Sequence, residues 1–492
     1  MTIDQLPVII PVSLLIFTCL TLLFGFLRKS LAFPIALTGM AVSLAASILG
    51  LVQVLLYGPQ SYQLGGWAPP IGIEYVLDHL SAFMAVLITF ISFISLIYSR
   101  HSFAREVPDK VVPLYALLLL LVAGMVGIVV TGDLFNVFVF LEIASLAGYA
   151  VMAIGHEKAP VATFRYIIIG TIGACFYLLG VGFLYFATGT LNMADIARLL
   201  PDLYESRLIL AAAVFIVIGM ALKMALFPFH IWLPDVYTYA PSGVVSLVAP
   251  LMTKVGAYVI IRMLVSVFGP GFLSEGFPLM AVLGWLGAAA IVIGSILAIA
   301  QSDLRRMLAY SSIAQIGYVA LGIGLNNPLG LIGAMLHILN HAFMKACLFQ
   351  VAGGIRYRTG LWQIPMLAGL GRKMPWTMAA FTIGAISMVG IPPAAGFFSK
   401  WYLVLSSIEA HNWVFVIVII ISSLLNAVYF FRILEKAYAS PESGNELVNT
   451  ASDPPASMTV SIMVLAAGIL ILGLINAIII TNVLQPVVKL IS

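Results

Sequence analysis

Long apolar segments separated by short polar stretches run through the whole sequence. A helix needs about twenty apolar residues to cross a bilayer, and the chain contains about fourteen such segments. With 62% hydrophobic and 9% charged residues among 492, it carries far less charge than soluble domains do. We therefore predict an all-α polytopic membrane protein. The predicted segments are 6–27, 32–57, 76–99, 112–131, 134–154, 163–188, 207–228, 243–266, 278–300, 307–325, 328–353, 376–407, 413–438 and 457–485.

The distribution of Lys and Arg predicts how these segments are oriented. Fifteen of the 23 basic residues fall in or beside the loops that follow odd-numbered segments, whereas four fall on the opposite side. Cytoplasmic loops retain Lys and Arg, so the odd loops are predicted to be cytoplasmic and both termini to lie outside. The Gly- and Pro-rich stretch 57–74 is then an outer loop of turns, and the polar stretch 439–455 is a cytoplasmic loop.

Several classes of function lack the residues that they need. The sequence has no nucleotide-binding loop, haem-ligand pattern or nucleophile constellation. Its three cysteines lie inside apolar segments at unrelated spacings, which favours neither disulfides nor a metal site. The net charge of +4 is too small to indicate nucleic-acid binding. We expect no cofactor and no metal.

The seventh segment contains a lysine followed by two prolines. Lys223 lies within an apolar run, and Pro228 and Pro234 come soon after it. Proline interrupts a helix, so the helix is predicted to break just after the lysine. A charge beside a broken helix is typical of mid-membrane transport sites, which makes Lys223 a candidate functional residue. The alternative is a lysine that extends its ammonium group to the membrane surface.

Two further ionisable residues fall inside neighbouring segments. Glu142 lies in the middle of the fifth segment, where a carboxylate must be protonated or paired, and a buried lysine is the natural partner. Otherwise it is a neutral, hydrogen-bonded group that joins two helices. Lys254 lies one helix beyond Lys223, close enough for the two ammonium groups to exchange protons through one or two waters.

The eleventh segment carries a stripe of titratable side chains. His337, His341 and Lys345 are four residues apart, which places them on one helical face. A proton relay fits this stripe because imidazole titrates near neutral pH. Zinc fits less well because no nearby acidic residue or cysteine completes a ligand set, while a pair of core histidines bonded to helix carbonyls is the structural alternative.

The twelfth segment repeats the pattern of the seventh. Pro392 and Pro393 interrupt it, and Lys400 follows. Two broken segments five positions apart predict an internal duplication, and because five is odd the copies are inverted in the membrane. If the buried groups of both halves lie at similar depth, water between them forms a lateral proton path.

Four motifs in order resemble a known family. They are GDLFNVFVFLEIASLAGYA, ALKMALFPFHIWLPDVYTYAP, HILNHAFMKACLF and GIPPAAGFFSKW. The chain resembles the antiporter-like, proton-conducting membrane subunits shared by respiratory complex I, membrane-bound hydrogenases and Mrp-type cation/proton antiporters. It looks most like the D-type subunit of the Mrp group. Lys400, where one complex I homologue has a carboxylate, argues against that homologue.

The resemblance implies a fold of fourteen helices with inverted repeats at helices 4–8 and 9–13 and with helices 7 and 12 discontinuous. The corresponding divisions are 1–111, 112–266, 267–438 and 439–492. It also implies a working pair of Glu142 and Lys223 and a relay through Lys254 and His337 to Lys400, beside which we place His341. Further candidates are Lys345, His230, Asp78 and Asp133, the last two as carboxylates on an access path or as interfacial caps.

Two functions remain open at this point. The first is a proton-translocating subunit of an Mrp-type Na⁺ or K⁺:proton antiporter in the cell membrane. The second is a proton-pumping subunit of a redox-driven complex, in which case the chain is part of an oxidoreductase. In both, the expected partners are other membrane subunits and the bilayer, and the chain is not a catalyst on its own. A purely structural scaffold has no reason to keep so many buried cations.

Overall fold

The computed structural model describes residues 5–156, 158–274, 278–439 and 446–489. Part of the loop predicted at 439–455 therefore lies outside the described residues. Sixteen labelled helices form the body of this described part. They are Leu6–Leu27 (α1), Ala32–Tyr57 (α2), His79–Glu106 (α3), Val111–Val130 (α4), Leu134–Ala153 (α5), Ala159–Thr188 (α6), Arg207–Lys223 (α7), Trp232–Tyr239 (α8), Ser242–Ile261 (α9), Leu279–Ile299 (α10), Leu304–Gly324 (α11), Pro328–Thr359 (α12), Pro375–Val389 (α13), Ala395–Glu409 (α14), Trp413–Leu434 (α15) and Ala456–Leu474 (α16).

Twelve helical spans in the described ranges are long and apolar enough to cross a membrane. The two predicted segments missing from these twelve are the seventh and the twelfth, and each is split into two shorter helices. In the seventh, α7 ends at Lys223 and α8 begins at Trp232; in the twelfth, α13 ends at Val389 and α14 begins at Ala395. The predicted polytopic all-α fold with two discontinuous helices is thus confirmed.

Some predicted boundaries were wrong. The stretch predicted as a loop of turns contains a two-stranded antiparallel hairpin, Gln60–Gln63 (β1) with Glu74–Leu77 (β2). Its strands are too short to show a clear period in the sequence. Consequently α3 begins at His79 and extends to Glu106. The last segment is not one straight helix either, because α16 ends at Leu474 and short helical pieces follow.

The centre of the molecule is formed by α9 and α12. The most apolar stretches of the spans Ser242–Phe268 and Pro328–Thr359 are completely buried, whereas those of α1, α6 and α15 are 39% buried. The candidate residues Lys254, His337, His341 and Lys345 all lie on this central pair. Outer helices with exposed apolar faces are suited to lipid or to other subunits.

One cap arrangement occurs twice, at opposite ends of the bundle. Asp133 caps the N-terminus of α5 and forms a backbone bridge with Asn192, while Asp303 caps α11 and forms the same kind of bridge with Gln363. The second copy comes five membrane segments after the first. Asp133 lies at the end of the bundle where α3 begins, and Asp303 lies at the end where α3 terminates. Inverted repeats are expected to place equivalent residues at opposite ends of the bundle in this way.

The basic residues assigned to the cytoplasmic loops are grouped at that second end. Arg356 pairs with Glu106 at 3.4 Å, and Arg165 and Arg306 both contact Asp235, at 3.3 and 3.0 Å. This grouping of basic residues at one end of the bundle agrees with their assignment, from the sequence, to loops on one side of the membrane. That this end faces the cytoplasm stays a prediction from the charge pattern.

Candidate functional site

The break in the seventh segment places Lys223 at the very end of a helix. After Lys223 the chain turns through Ala225, whose φ of +56° does not continue the helix. The indole of Trp232, at the start of α8, donates at 3.2 Å to the carbonyl of Leu222, which also accepts from the amide of Ala225 at 3.3 Å. The Trp232 ring stacks on Tyr166 with 3.8 Å between ring centroids, which holds the indole in place. The break is therefore a fixed structure, and it leaves the lysine facing α5.

The side chains that Lys223 faces share one side of α5. Lys223 Nζ donates to Ser145 Oγ at 2.8 Å and lies 5.9 Å from the ring centre of Tyr149. Glu142, Ser145 and Tyr149 are spaced three and four residues apart, so they line one face. Sequence reasoning identified Glu142 but missed Ser145 and Tyr149, although this spacing was visible in the sequence.

In the described part of the chain, Glu142 and Lys223, the predicted working pair, do not form an ion pair. None of the ion pairs within the described ranges includes Glu142, and its Oε1 is buried without a hydrogen-bond partner there. Ser145, one turn further along α5, takes the ammonium instead. Glu142 and Ser145, the residue that binds the ammonium, thus lie one helical turn apart on the same face of α5.

A small cavity lies between Lys223 and the central helix α9. It has a volume of about 30 Å³ and is lined by Lys223 and Ser145 on one side and by Met252, Val255 and Gly256 on the other. A cavity of this size has room for a water molecule, and the ammonium and hydroxyl supply polar partners. Its wall includes the residues around Lys254 but not the side chain of Lys254 itself.

Lys254 is fully buried, and its ammonium group contacts a backbone carbonyl. Nζ donates to the carbonyl of Ala249 at 2.9 Å, and no carboxylate of the described chain lies within ion-pair distance. The ammonium is thus bound by a neutral acceptor and not by a carboxylate of the described residues.

The two histidines of α12 lie next to each other in the core. Their rings stack at 5.8 Å, and His337 Nδ1 lies 3.0 Å from Ser399 Oγ of α14. The other ring nitrogen of His337 and both ring nitrogens of His341 have no partner among the described residues. Lys345 points away from this pair, since its Nζ contacts Leu308 O and Ser311 Oγ on α11. The predicted stripe therefore divides into a histidine pair and a separate lysine.

Lys400 reaches back across the second helix break. Its Nζ donates to the carbonyls of Met388 and Val389, at 2.9 and 3.0 Å, and to Ser423 at 3.1 Å. Those carbonyls end α13, where unpaired acceptors and the negative end of the helix dipole stabilise a cation. The ammonium also lies 5.1 Å from the ring centre of Tyr318. Tyr318 in turn neighbours His337, with 5.1 Å between the rings, and so links the two sites.

The remaining candidates lie away from this line. Asp78 caps α3 and pairs with Arg262, with 2.8 Å between Oδ1 and Nη2. Burial raises the pKa of its carboxyl, but the guanidinium outweighs that effect and holds it well below its usual range. Asp133 accepts from the amide of Asn136 at 2.7 Å as the cap of α5, and burial raises its pKa. His230, in the loop of the break, stacks on Phe227 at 5.5 Å.

These side chains define a class of protein. Buried lysines and histidines lie between the two broken helices of a multi-pass membrane bundle, and neutral oxygens accept hydrogen bonds from the ammonium groups. In the described ranges no three His, Cys, Asp or Glu residues are grouped to hold a metal ion. The arrangement suits the movement of protons.

Comparison with known proteins identifies the family. Residues 131–426 match the family described as NADH:quinone oxidoreductase/Mrp antiporter, and the chain belongs to it. It is 49% identical over 457 residues to a "NADH-quinone oxidoreductase subunit N" of Desulforudis audaxviator, covering 90% of each protein. It is 33% identical over 442 residues to the D-type subunit of a Na(+)/H(+) antiporter of Alkalihalophilus pseudofirmus, covering 89% of this chain and 88% of that one.

Solved structures show the same fold. A chain of the Mrp complex from Dietzia sp. DQ12-45-1b matches with a TM-score of 0.90 and 25% identity, covering 100% of this chain and 98% of that one. A chain of the membrane-bound sulfane sulfur reductase, an archaeal respiratory membrane complex, matches with a TM-score of 0.91 and 30% identity, covering 99% and 98%. Both neighbours belong to multisubunit membrane complexes, in agreement with the expected partners. The chain is thus an antiporter-like, proton-translocating membrane subunit of the Mrp and complex I type.

Proposed function

We propose that protons cross the middle of this chain along a relay from Lys223 through Lys254 and the histidine pair to Lys400, with Glu142 controlling its first step. The observation that carries the proposal is the burial of these three lysines, with no more than 5% of any of them exposed, without a salt bridge in the described chain. Burying an ammonium without a counter-ion is costly, so such groups are retained where the charge itself is used.

The position of Glu142 supplies a control step. An ionised Glu142 stabilises the ammonium of Lys223 from one turn away, while Ser145 fixes its position. When the charge of a neighbouring subunit attracts or neutralises Glu142, that support is lost, and the proton of Lys223 moves through the water-sized cavity towards α9. Lys254 then passes it on, and Lys400 receives it at the second break. The Glu142–Lys223 unit thus works as a pair without direct contact.

We further propose that the relay follows the internal duplication. Residues 1–111 form the first three helices, 112–266 and 267–438 form the two inverted five-helix repeats, and 439–492 form the last loop and helix. The repeated caps at Asp133 and Asp303 support these divisions. We place both termini on the outer side of the cell membrane on the charge pattern.

Two driving reactions are candidates. The first is exchange of protons for Na⁺ or K⁺ in an Mrp-type antiporter, supported by the similarity to the D-type antiporter protein and by Lys400. The second is a redox reaction elsewhere in a complex I-like or hydrogenase-like assembly. The 49% identity to a protein named as an NADH-quinone oxidoreductase subunit specifically favours this second candidate.

A single vesicle experiment tests the relay and separates the driving reactions. Everted vesicles come from an antiporter-deficient host that expresses the whole operon. Loss of a standing ΔpH is followed after adding Na⁺ or K⁺, and formation of ΔpH in vesicles that start without one is followed after adding a quinone-linked electron donor. We expect Lys223→Ala to abolish the response, whereas Lys110→Ala, which removes an exposed lysine, leaves it unchanged.

Each outcome of this experiment supports a different conclusion. A response to Na⁺ or K⁺ supports the antiporter, and proton uptake driven only by the electron donor supports the redox complex. A normal response in an assembled Lys223→Ala complex would exclude the relay in either case.

A further inference from the structure

A cavity of about 350 Å³ opens at the end of the bundle where the basic residues are grouped. It lies between the N-terminal turns of α6 and α11 and the short helix α8, which follows the first helix break. Lys158, Arg165 and Arg306 line this cavity, and Asp235 is the one carboxylate among its described lining residues. None of these four side chains has a role in the proposed relay.

The ion pairs in this cavity leave positive charge unbalanced. The carboxylate of Asp235 is shared between two guanidinium groups, that of Arg165 at 3.3 Å and that of Arg306 at 3.0 Å. No ion pair within the described residues includes Lys158. One carboxylate therefore faces three cations, and a bound anion would complement the remaining charge.

Two of these cations lie at helix ends that disfavour positive charge. Lys158 is the N-cap of α6, and Arg306 lies in the first turn of α11. The N-terminus of a helix carries a partial positive charge, which favours anions there and cations at the other end. The bias of Lys and Arg towards cytoplasmic loops explains why cations occur on this side of the membrane. It does not explain why they gather at two helix N-termini around one cavity, whereas a bound anion does.

An exposed apolar stripe begins at the same cavity and follows α6. Val161, which lines the cavity, is followed by Phe164, Ile168 and Ile172 at spacings of three, four and four residues, so the four share one face. Their exposed fractions are 56%, 62%, 47% and 46%. The stripe extends about 16 Å along the helix axis. The cavity and the stripe together suit a ligand with an anionic head and an apolar chain.

We propose that this cavity binds the phosphate of an anionic phospholipid whose acyl chain lies along the stripe on α6. Guanidinium and ammonium groups form strong hydrogen bonds with phosphate, and basic pockets between membrane helices bind anionic headgroups. A free anion has no use for the apolar stripe, and a zwitterionic lipid brings a cation of its own. The lipid site is independent of the relay.

A lipid bound here also supports the first helix break. Asp235 lies on α8 one turn after Trp232, and the Trp232 ring stacks on Tyr166 of α6. A phosphate that contacts both Arg165 and Arg306 joins α6 to α11 around α8. We therefore expect the bound lipid to raise the unfolding temperature of the complex.

Photocrosslinking identifies what contacts the stripe. Benzoylphenylalanine replaces Phe164 in the assembled complex, which is placed in nanodiscs with equal amounts of phosphatidylglycerol and phosphatidylcholine. The matched control position is Phe186, which is 83% exposed near the other end of the same helix. The two positions are about 33 Å apart along α6, so they sample opposite leaflets of the bilayer. Mass spectrometry identifies the adducts.

We expect the adducts formed from the Phe164 position to be enriched severalfold in phosphatidylglycerol, whereas those from the Phe186 position reflect the bilayer composition. Equal adduct composition at the two positions would overturn the proposal. Adducts to another protein at the Phe164 position would show that a neighbouring subunit covers the stripe, which also overturns it. So would the absence of any adduct at that position.

Charge variants connect the enrichment to the cavity. The double variant Lys158→Gln, Arg165→Gln should remove the enrichment, and it leaves Asp235 paired with Arg306. The control variant Lys110→Gln, Arg372→Gln removes the same charge from exposed positions outside the cavity and should preserve the enrichment. Enrichment that persists in the first variant would contradict the proposed headgroup site.

Thermal unfolding separates a lipid from a free phosphate. Complexes in phosphatidylcholine nanodiscs are compared with complexes that also receive phosphatidylglycerol or inorganic phosphate. We expect phosphatidylglycerol to raise the unfolding temperature of the wild type by several degrees and that of the Lys158→Gln, Arg165→Gln variant hardly at all. Inorganic phosphate should have no effect. An equal rise with inorganic phosphate, or no rise with phosphatidylglycerol in the wild type, would overturn the lipid site.

Discussion

The ammonium of Lys223 donates to the hydroxyl of Ser145 at 2.8 Å, and Glu142 lies one turn earlier on the same face of that serine's helix. In the proposed relay, this bond to the serine keeps the ammonium from forming a closed ion pair with the carboxylate. A closed pair in a medium of low dielectric constant would bind the proton too firmly to release it. Ser145 is therefore expected to position Lys223 for proton transfer.

Removing that hydroxyl should impair transport. A hydrogen bond to a charged group contributes about 1.5 to 3 kcal/mol, so Ser145→Ala should lower the transport rate roughly tenfold or more. It should also change the pH profile, which a loss of packing alone would not do. Ser145→Thr keeps the hydroxyl and should restore most of the rate. An unchanged pH profile in Ser145→Ala would show that the serine only packs.

The charge at Lys400 is held by three acceptors around a single nitrogen, which makes a specific prediction about substitutions. Lys400→Met should abolish proton transport because the charge is lost, and Lys400→Arg should not restore it. The planar guanidinium fork cannot place one nitrogen among Met388, Val389 and Ser423 as the ammonium does. Lys110→Met is the control. Full transport by Lys400→Arg would contradict this account of the geometry.

The partly buried pair of Asp78 and Arg262 should matter for stability. Their side chains are 20% and 11% exposed, and removing one partner of such a pair costs about 3 to 5 kcal/mol. Arg262→Gln should therefore lower the unfolding temperature of the detergent-purified complex markedly. Arg198→Gln removes one side of an exposed pair with Asp195 and should have almost no effect. Equal unfolding temperatures for the two variants would show that the Asp78–Arg262 pair stabilises the protein no more than the exposed pair does.

The same pair predicts a pH dependence. Because the pKa of Asp78 is lower in the folded protein than in the unfolded chain, its stabilising effect is complete above the unfolded value of about 4. The effect is lost as pH falls through the lower, folded value. The stability difference between wild type and Asp78→Asn should thus be constant from about pH 5 to 8 and shrink only in stronger acid. Thermal unfolding of both proteins as a function of pH measures this stability difference. A difference that disappears near pH 6 would contradict the low pKa of Asp78 in the folded protein.

The indole of Trp232 should stabilise the break after Lys223. Trp232→Phe keeps a ring against Tyr166 but removes one hydrogen bond to the Leu222 carbonyl, which still accepts from the amide of Ala225, so the cost should be about 0.5 to 1.5 kcal/mol. Unfolding temperature and the transport rate should both fall. Trp413→Phe, at a 60% exposed position, serves as the control. Identical behaviour of the two variants would show that the indole nitrogen is unimportant.

The sequence by itself determined the membrane class, the two broken helices and which ionisable residues lie inside the apolar segments. Apolar segment length, proline position and isolated lysines act locally or through the bilayer, so they can be read without knowing the fold. It also placed His337 and His341 on one face correctly.

Only the tertiary structure decided which groups meet. Ser145 replaced Glu142 as the contact of Lys223, Lys345 turned to α11 instead of the histidines, and Lys400 reached back to α13. The two short strands were equally hidden. The reason is physical: sequence periodicity gives the face of a helix, but the partner of that face depends on how helices distant in the chain pack together.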